Sequence, residues 1–536
     1  MTLRGLLLLA LLLLGAPAQA QQVPPDQAAL RAHIQFLASD AMRGREAGTQ
    51  DYDVAAEYVA AQMLAIGLKP GGADGGWFQP VKLVHYRSAE KASWTLMRGN
   101  AAIPLQFGID FVNQAAPATP DFTAQGGIVF AGYGLVYPQG RRDDYKGLDV
   151  RGKIVALLPG VPAGLPSDVE AHFGNDEQKA RLAQARGAKA VILLESAAHR
   201  VDFPFDAVVP FFDYEQSSWA GPDGVTHALA PGAPVVGYVS QAGAEKLFAG
   251  SRIKWVDVLA AERKGGKLPT GPLVGTLQVA AKTRLRTAES RNVVGLIEGS
   301  DPGLARQYVI LSAHLDHVGL GDAVNGDRIY NGAMDNAAGV ATILEVARAL
   351  RAGPPPRRSI LIIALTAEEK GLIGSSYFAH HATVPKGSIV ADLNIDMPIL
   401  TFPLRDLVIL GGERSTLGAS FAAAAAGEGL ATVPDPAPEE MFFVRSDHYS
   451  FVQAGIPSVS VDSGPGGAGD AAQKDYLANH YHKPSDQLSL PFDWEAAAKF
   501  ARVNVAAAHA IANADDRPRW VKGDFFGVEY DGHGAR

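Results

Sequence analysis

The chain has 536 residues, 47% hydrophobic content and a formal net charge of −8. This length and composition allow a full-size buried core and two or three domains, which excludes a fibre or a disordered tail. The mildly acidic balance argues against nucleic acid or an anionic lipid surface as a partner. The sequence contains no cysteine. Disulfides therefore cannot stabilise the fold, and any metal ligands must come from His, Asp and Glu, which favours zinc, manganese or cobalt.

The first twenty residues, MTLRGLLLLALLLLGAPAQA, have the pattern of a secretory signal. They combine one basic residue, an apolar run and an Ala-Gln-Ala ending, and the run is too short to span a membrane. We predict a periplasmic or secreted protein that is cleaved near Ala20. No cysteine is available as a lipid attachment site, so we expect no membrane anchor after cleavage.

Changes in sequence pattern predict the domain organisation. Helical spacing of apolar residues over 26–68 predicts two helices joined by a loop at 39–49. Short β-type runs separated by Gly and Pro then predict a separate β-rich domain, followed by a linker ending at Pro272. The predicted segments are a signal peptide (1–20), an N-terminal helical part (21–84), the β-rich insertion (85–271), the main α/β part (272–515) and a C-terminal tail (516–536).

Long apolar strands and helices alternate after residue 272. The pattern predicts a helix over 336–351 and strands over 308–313, 359–365, 389–395, 407–410 and 458–461. Nearly continuous apolar strands that alternate with helices are typical of a mostly parallel sheet covered on both faces. Ligands of such α/β sheets bind beyond the carboxyl ends of the strands.

Residue types that bind metals follow these strands. They are His314, Asp316 and His317 in SAHLDH, Asp335 in MDNAAG, Glu368 and Glu369 in TAEEKG, Asp396 in NID, and His480, His482 and Asp486 in HYHKPSD. Each has a simpler explanation alone: an aspartate can cap a helix, and a glutamate in the first turn interacts favourably with the helix dipole. Together at one sheet edge, however, these carboxylates would repel one another unless cations held them. The sequence therefore predicts a metal site.

The ordered set of motifs resembles the M28 zinc aminopeptidases, in the branch with an inserted protease-associated domain. The set comprises FLASDAMRGREAG, FAGYGL, SAHLDHVG, NGAMDNAAGVA, TAEEKGLIGS, NIDM, RSDHYSFVQAGIP and YHKPSDQL. The resemblance implies a zinc-exopeptidase fold with a mostly parallel mixed sheet sandwiched by helices. It also implies that the β-rich insertion is the protease-associated domain and that residues 272–515 are the main part of the peptidase domain.

The resemblance also implies roles for individual residues. It implies two Zn²⁺ ions per chain, with Mn²⁺ or Co²⁺ as substitutes, and Glu368 as the general base for a metal-bridged water. The implied ligands are His314 and Asp396 for one ion and Glu369 and His482 for the other, with Asp335 bridging both. Asp316 is expected to orient His314 as a carboxylate behind the ligand.

Three further residues are expected to lie near the substrate, and a fourth is expected to have no role in metal binding. By resemblance, Tyr481 stabilises the oxyanion and Arg445 contacts the substrate. Asp462 follows a predicted strand, and in aminopeptidases of the family that the sequence resembles, the corresponding region often lines the pocket for the first substrate side chain with apolar residues. An acid there would favour a basic or polar N-terminal residue. We assign His317 no metal role and interpret it as a hydrogen-bonded loop histidine.

The leading hypothesis is a metallo-exopeptidase that removes N-terminal residues from peptides with a free N-terminus. One alternative is a carboxypeptidase similar to the glutamate carboxypeptidases of the same family, for which Arg445 could bind a terminal carboxylate. Another is a receptor-like ectodomain without catalysis. That reading predicts loss of a ligand or of the base, whereas all six positions are filled in this sequence.

Overall fold

The structure is a computed structural model that describes residues 25–536. The expected signal peptide, residues 1–20, lies outside this range. Over the range that is described, no helix has both the length and the apolar character needed to cross a membrane.

The regular elements alternate between helices and strands along the chain. The helices are Pro25–Leu37, Gln50–Ile66, Ser167–Gly174, Asp176–Gln184, His199–Asp202, Phe205–Val208, Gln241–Phe248, Trp255–Arg263, Gly339–Ala352, Ile373–His380, Leu417–Gly427, His448–Gln453, Gly469–Asn479, Trp494–Asn513 and Phe525–Glu529. The strands are Lys69–Pro70, Phe78–Ser88, Trp94–Arg98, Ala101–Leu105, Phe111–Asn113, Asp121–Phe130, Val136–Tyr137, Arg142–Asp143, Ile154–Leu157, Ala190–Leu194, Gln216–Ala220, Val235–Val239, Gly271–Ile297, Tyr308–His314, Gly319–Val324, Asp327–Tyr330, Ser359–Leu365, Ile389–Asn394, Asp406–Leu410, Ala431–Val433 and Ser458–Ser463.

Four parallel strands form the centre of a mixed sheet. Their spatial order is Ser359–Leu365, Tyr308–His314, Ile389–Asn394 and Ser458–Ser463. Antiparallel strands flank this centre on both sides, with part of Gly271–Ile297 on one side and Asp406–Leu410 on the other. The first three central strands are buried at every position except Tyr308, which is partly buried, as expected for strands covered by helices on both faces. The predicted fold class, an α/β mixed sheet sandwiched by helices, is therefore confirmed.

The two N-terminal helices pack on this sheet. Pro25–Leu37 contributes Leu30 and Ile34 to the same buried cluster as the apolar side of helix Gly339–Ala352. Thr49 caps the start of helix Gln50–Ile66, since its side chain accepts a hydrogen bond from the Tyr52 N–H. Gly67 caps the other end of this helix. Gly67 has a φ of 87°, the left-handed conformation that glycine adopts readily at a helix end. The predicted pair of helices is thus present.

The β-rich segment builds a second core. Strands Ile154–Leu157 and Ala190–Leu194 are wholly buried and pair in parallel. They contribute to a second cluster of buried side chains, which also includes Val408 and Leu410 at the edge of the central sheet. The long strand Gly271–Ile297 belongs to both parts. Residues 276–282 pair with strands of the insertion, and residues 283–297 pair with Phe78–Ser88 and with the central sheet.

The chain passes between the two parts within strands and not within a flexible linker. The predicted boundary after residue 84 falls inside Phe78–Ser88, and the predicted linker end at Pro272 falls inside Gly271–Ile297. The predicted C-terminal tail, residues 516–536, is also ordered: its Trp520 is 2% exposed and donates a hydrogen bond to the Gly455 carbonyl. The composition predicted a linker between the insertion and the main α/β part. In the structure, the long strand Gly271–Ile297 pairs with both parts and connects them.

Contacts between buried or partly buried groups join the insertion to the peptidase part. His172 lies 2.6 Å from the Tyr449 hydroxyl, and Arg414 forms an ion pair with Asp168. Burial lowers the pKa of His172 to about 3, so this histidine is neutral in the fold. The insertion is therefore fixed against the segment that follows the central sheet.

Candidate metal centre

The polar residues predicted from the sequence meet at the carboxyl edge of the central strands. His314 is the last residue of Tyr308–His314, and Asp396 follows Ile389–Asn394 by two residues. Glu368 and Glu369 lie in the turn after Ser359–Leu365. Parallel strands end at the same edge, so side chains far apart in sequence become neighbours here.

Asp335 reaches this edge through an irregular turn. The predicted helix over 336–351 begins instead at Gly339, because Asp335 and Asn336 have non-helical backbone angles. The Asn336 side chain accepts a hydrogen bond from the Gly339 N–H at 3.0 Å and donates one to the Ile395 carbonyl. Asn336 thus satisfies the helix start, and Asp335 is left to face the cluster.

One group of donor atoms surrounds His314. Its Nε2 lies 2.9 Å from Asp396 Oδ1 and 3.2 Å from Asp335 Oδ1. The three donor atoms lie within 4.8 Å of one another, and His314 and Asp335 are almost fully buried. Burial by itself lowers the pKa of His314, but the surrounding carboxylates raise it well above its ordinary value.

A second group shares Asp335. His482 Nε2 lies 3.0 Å from Glu369 Oε2 and 3.3 Å from Asp335 Oδ2. Burial by itself lowers the pKa of His482, whereas its hydrogen bonds to Asp335 and Glu369 raise it to about 10. Asp335 therefore contacts one histidine through each of its two oxygens, and it stands between the two groups.

His317 joins this second group, although sequence reasoning assigned it no role. Its Nδ1 lies 2.7 Å from Glu369 Oε1, and together with Asp335 these residues form another set of three donor atoms within 4.8 Å. His317 is 1% exposed, so it is not a surface loop residue. The sequence did contain one indication of this role, because His317 is a second histidine directly after the SAHLD motif.

Glu368 differs from its neighbour Glu369 in its surroundings. The closest ion-pair distance of Glu368 is 4.0 Å, from Oε2 to His314 Nε2, and its side chain is 12% exposed at the wall of a pocket. Burial raises the pKa of Glu368, an effect that His314 opposes and that Asp396 and Glu369 reinforce. Glu369 has a histidine against each oxygen, whereas Glu368 faces open space.

Asp316 holds the turn that carries both glutamates. Its carboxylate accepts hydrogen bonds from the backbone N–H groups of Glu368 and Glu369 at 3.1 and 3.3 Å. His314 Nδ1 contacts the Asp316 backbone carbonyl at 3.1 Å and not the carboxylate. The expectation that the Asp316 carboxylate orients His314 is therefore wrong in this detail, because the local turn brings the carbonyl to the imidazole.

Arg45 and Asp486 support the loop around Asp335. The guanidinium of Arg45 is fully buried and donates to the backbone carbonyls of Leu315 and Gly332, both at 2.7 Å. Asp486 is also fully buried and accepts hydrogen bonds from the backbone N–H groups of Met334 and Asp335. These residues lie about 290 and 150 positions from Asp335, so local patterns could not reveal them.

Replacing Asp486 by asparagine is expected to destabilise the protein by about 2 kcal/mol, because hydrogen bonds to a charged acceptor contribute more than those to an amide. The Asp486 carboxylate accepts from two backbone N–H groups and from the Tyr476 hydroxyl at 2.9 Å. Urea denaturation measures the change. Asp475→Asn, at a 63% exposed position, is the control and should change the free energy of unfolding little. Equal stability of Asp486→Asn and the wild type would contradict this role.

The donor set fits a divalent cation. Both His317 nitrogens and Glu369 Oε1 are buried without a hydrogen-bond partner among residues 25–536, although Nδ1 and Oε1 are close. Five carboxylates converge here, from Asp316, Asp335, Glu368, Glu369 and Asp396. Imidazole nitrogens and carboxylate oxygens, without thiolates, are ligands that zinc accepts. A cation would satisfy these atoms and offset the negative charge.

The cluster opens into a pocket with the expected substrate residues on its wall. Tyr481, Arg445 and Asp462 line it together with His314, Asp335, Glu368, Asp396 and His482. The Tyr481 ring stacks on His482 at a centroid distance of 4.0 Å, and burial raises the pKa of its hydroxyl. The predicted site residues therefore line this pocket, except for Asp316 and Glu369. Glu369 contacts the lining residue His482, and Asp316 accepts hydrogen bonds from the backbone of the turn that carries Glu368 and Glu369.

Comparison with known proteins agrees with this geometry. Residues 292–508, which include all the donor residues of the cluster, match Peptidase family M28. This part of the chain belongs to peptidase family M28. The M28 region comprises the central parallel strands and the turns that follow them.

Curated relatives match over limited lengths. A probable leucine aminopeptidase 2 of Aspergillus oryzae is 29% identical over 229 residues, which cover 40% of this chain and 42% of that protein. Leupeptin-inactivating enzyme 1 of Streptomyces exfoliatus is 31% identical over 210 residues, or 39% of this chain and 43% of that protein. The chain thus spans less than half the length of these curated relatives. An aminopeptidase structure from Aneurinibacillus sp. strain AM-1 has 21% identity and a TM-score of 0.47, covering 92% of this chain and 95% of that one.

Proposed function

We propose that this M28 protein is a di-zinc aminopeptidase that removes N-terminal residues from peptides. The observation that carries the proposal is the contact of Asp335 with two histidines, one through each oxygen, at the mouth of a pocket. A carboxylate with that placement suits a bridge between two cations. His314 and Asp396 would hold one zinc, and Glu369 and His482 the other.

Zinc in this donor set would supply Lewis-acid polarisation of the peptide carbonyl and lower the pKa of water. His317 contacts the Glu369 oxygen that His482 does not contact, so it would fix the orientation of that carboxylate. Mn²⁺ and Co²⁺ accept the same oxygen and nitrogen donors and are proposed as substitutes.

Glu368 is the proposed general base. Both oxygens of Glu369 face histidines, whereas the Glu368 carboxylate lines the pocket and makes no contact closer than 4.0 Å to His314. Glu368 can accept a proton from the attacking water and transfer it to the leaving amine. The backbone N–H groups of this turn donate hydrogen bonds to the Asp316 carboxylate, which holds the turn in place.

The substrate is proposed to bind along the pocket wall. The free α-amino group would lie against the carboxylates of Glu368 and Asp396, both of which line the pocket. The Tyr481 hydroxyl would donate to the oxyanion, and Arg445 would contact the peptide beyond the cleaved bond. These roles need a ligand with a free amine and a reactive carbonyl close together, which describes a peptide N-terminus.

We also propose that the insertion over 85–271 is a protease-associated domain and that residues 21–84 and 272–515 form the peptidase domain. Most members of the second buried cluster belong to the insertion, which supports a distinct unit that packs against the peptidase part through the remaining members. Its contact at Tyr449 lies four residues along the chain from the pocket residue Arg445 and would let it restrict substrate size. A periplasmic or secreted location is proposed from the sequence pattern of residues 1–20.

The proposed function predicts hydrolysis of aminoacyl p-nitroanilides and no hydrolysis of their N-acetylated forms. The reason is that acetylation removes the charge of the amine that Glu368 and Asp396 would bind. A chelator should abolish release of p-nitroaniline, and added Zn²⁺ should restore it. Absorbance assays measure both effects, with chelator plus excess Ca²⁺ as a control.

The alternative carboxypeptidase gives the opposite substrate pattern. It would hydrolyse N-blocked dipeptides with a free carboxylate, and turnover of these with no turnover of the anilides would overturn the aminopeptidase assignment. A receptor-like ectodomain would hydrolyse neither class even with Zn²⁺ bound.

A further inference from the structure

The wall of the pocket beside the metal centre combines apolar side chains with one acid. Ser460 and Asp462 lie two residues apart on strand Ser458–Ser463, so their side chains point to the same face of the sheet. Leu410 is the cross-strand partner of Ser460, and all three residues line the pocket. Met397 and Phe442 complete the apolar part of this wall.

Asp462 has no cationic partner of its own. Within residues 25–536, no lysine, arginine or histidine nitrogen lies within ion-pair distance of its carboxylate. Its charged neighbours are two more carboxylates, Asp396 and Asp435. Burial raises the pKa of Asp462, and the two neighbouring carboxylates add to that effect. The pocket wall thus presents a carboxyl group that no cation of residues 25–536 pairs with, beside apolar side chains.

Arg445 lines the same pocket but is engaged elsewhere. Its Nη1 donates to the Glu440 carbonyl at 3.1 Å and lies 3.6 Å from the Glu440 carboxylate. The guanidinium also lies over the Phe442 ring, and the side chain is 46% exposed. Arg445 therefore faces the rim and does not form an ion pair with Asp462.

A ligand that fits this wall has an apolar stem and a cationic end. Lysine and arginine side chains have this form, since their methylene groups pack on apolar surface while the charged end reaches an acid. We propose that Asp462 makes the pocket select peptides whose N-terminal residue is lysine or arginine. This inference rests on the proposed aminopeptidase function and names its substrate class.

The test compares lysyl and norleucyl p-nitroanilides, whose side chains have similar length but differ in charge. The wild-type kcat/KM should be higher for the lysyl substrate. Asp462→Asn should lower the lysyl-to-norleucyl ratio about tenfold or more, chiefly through a lower lysyl kcat/KM. Asp435→Asn is the matched control, because Asp435 lies near Asp462 without lining the pocket, and it should change the ratio less than about threefold.

Binding provides a second measurement that does not need turnover. In an inactive Glu368→Gln background loaded with Zn²⁺, calorimetry should show tighter binding of lysinamide than of norleucinamide, and Asp462→Asn should remove the difference. If the wild type hydrolyses the norleucyl substrate better, or if Asp462→Asn leaves the lysyl-to-norleucyl ratio unchanged, this inference fails while the aminopeptidase assignment stands. If the wild type hydrolyses neither anilide, both fail.

Discussion

Replacing Glu368 by glutamine is expected to lower kcat on aminoacyl p-nitroanilides by about 10³-fold while leaving the zinc content unchanged. Glutamine keeps the shape of the side chain but cannot accept the proton of the attacking water. The bound zinc should persist because the Glu368 carboxylate lies 4.0 Å from His314 Nε2, whereas each Glu369 oxygen lies within 3.0 Å of a histidine nitrogen. Stopped assays for kcat and elemental analysis of the dialysed protein measure the two quantities.

Glu345→Gln is the matched control for this experiment. Glu345 is also buried, at 4% exposure, but pairs with Arg348 on helix Gly339–Ala352 away from the pocket. This variant should keep kcat near the wild-type value even if its stability falls. A Glu368→Gln protein with full zinc content and nearly full activity would show that another group takes the proton.

Replacing Asp335 by asparagine is expected to reduce bound zinc from about two ions to fewer than about one per chain, and to abolish measurable activity. Both Asp335 oxygens contact histidines of the cluster, and an amide offers one oxygen without negative charge. The thermal transition should also lose most of its upward shift on addition of Zn²⁺, because that shift reports binding to the folded state. Elemental analysis and thermal melts with and without Zn²⁺ measure these effects.

Asp392→Asn is the control that tests whether replacing any buried aspartate of this sheet lowers the zinc content. Asp392 lies four residues before Asp396 and is fully buried. Its Oδ1 accepts a hydrogen bond from the Ser312 hydroxyl. Burial raises the pKa of Asp392 well above its ordinary value, so the neutral amide is a close substitute. This control should retain zinc. Retention of two zinc ions by Asp335→Asn would contradict the bridging role.

Much of the α/β part follows from local sequence. The strand predicted over 359–365 matches Ser359–Leu365, since seven consecutive apolar or small residues at the centre of a sheet need no particular neighbour. The positions of the turn residues could also be predicted, because each turn begins where the local apolar pattern of a strand ends. The sequence motifs at His314, Asp335, Glu369, Asp396 and His482 indicated a metal site before any contact between them was known.

Other features depend on strand pairing and could not be predicted locally. The long strand Gly271–Ile297 pairs with the insertion at one end and with the central sheet at the other, so no change in composition marks where one part ends. Asn336 was indistinguishable from Asp335 as a helix cap, because both are good capping residues. The irregular turn decides that Asn336 caps the helix and Asp335 faces the histidines.

By itself, the sequence determined which residue types lie at the carboxyl ends of the strands, because strand length and apolar pattern are local properties. Only the tertiary structure decided which atoms meet there. It placed His317 against Glu369, turned the Asp316 carbonyl and not its carboxylate toward His314, and brought Asp462 into the pocket without a cationic partner. Such contacts join residues far apart in the chain, and their geometry is fixed by how the strands and turns pack.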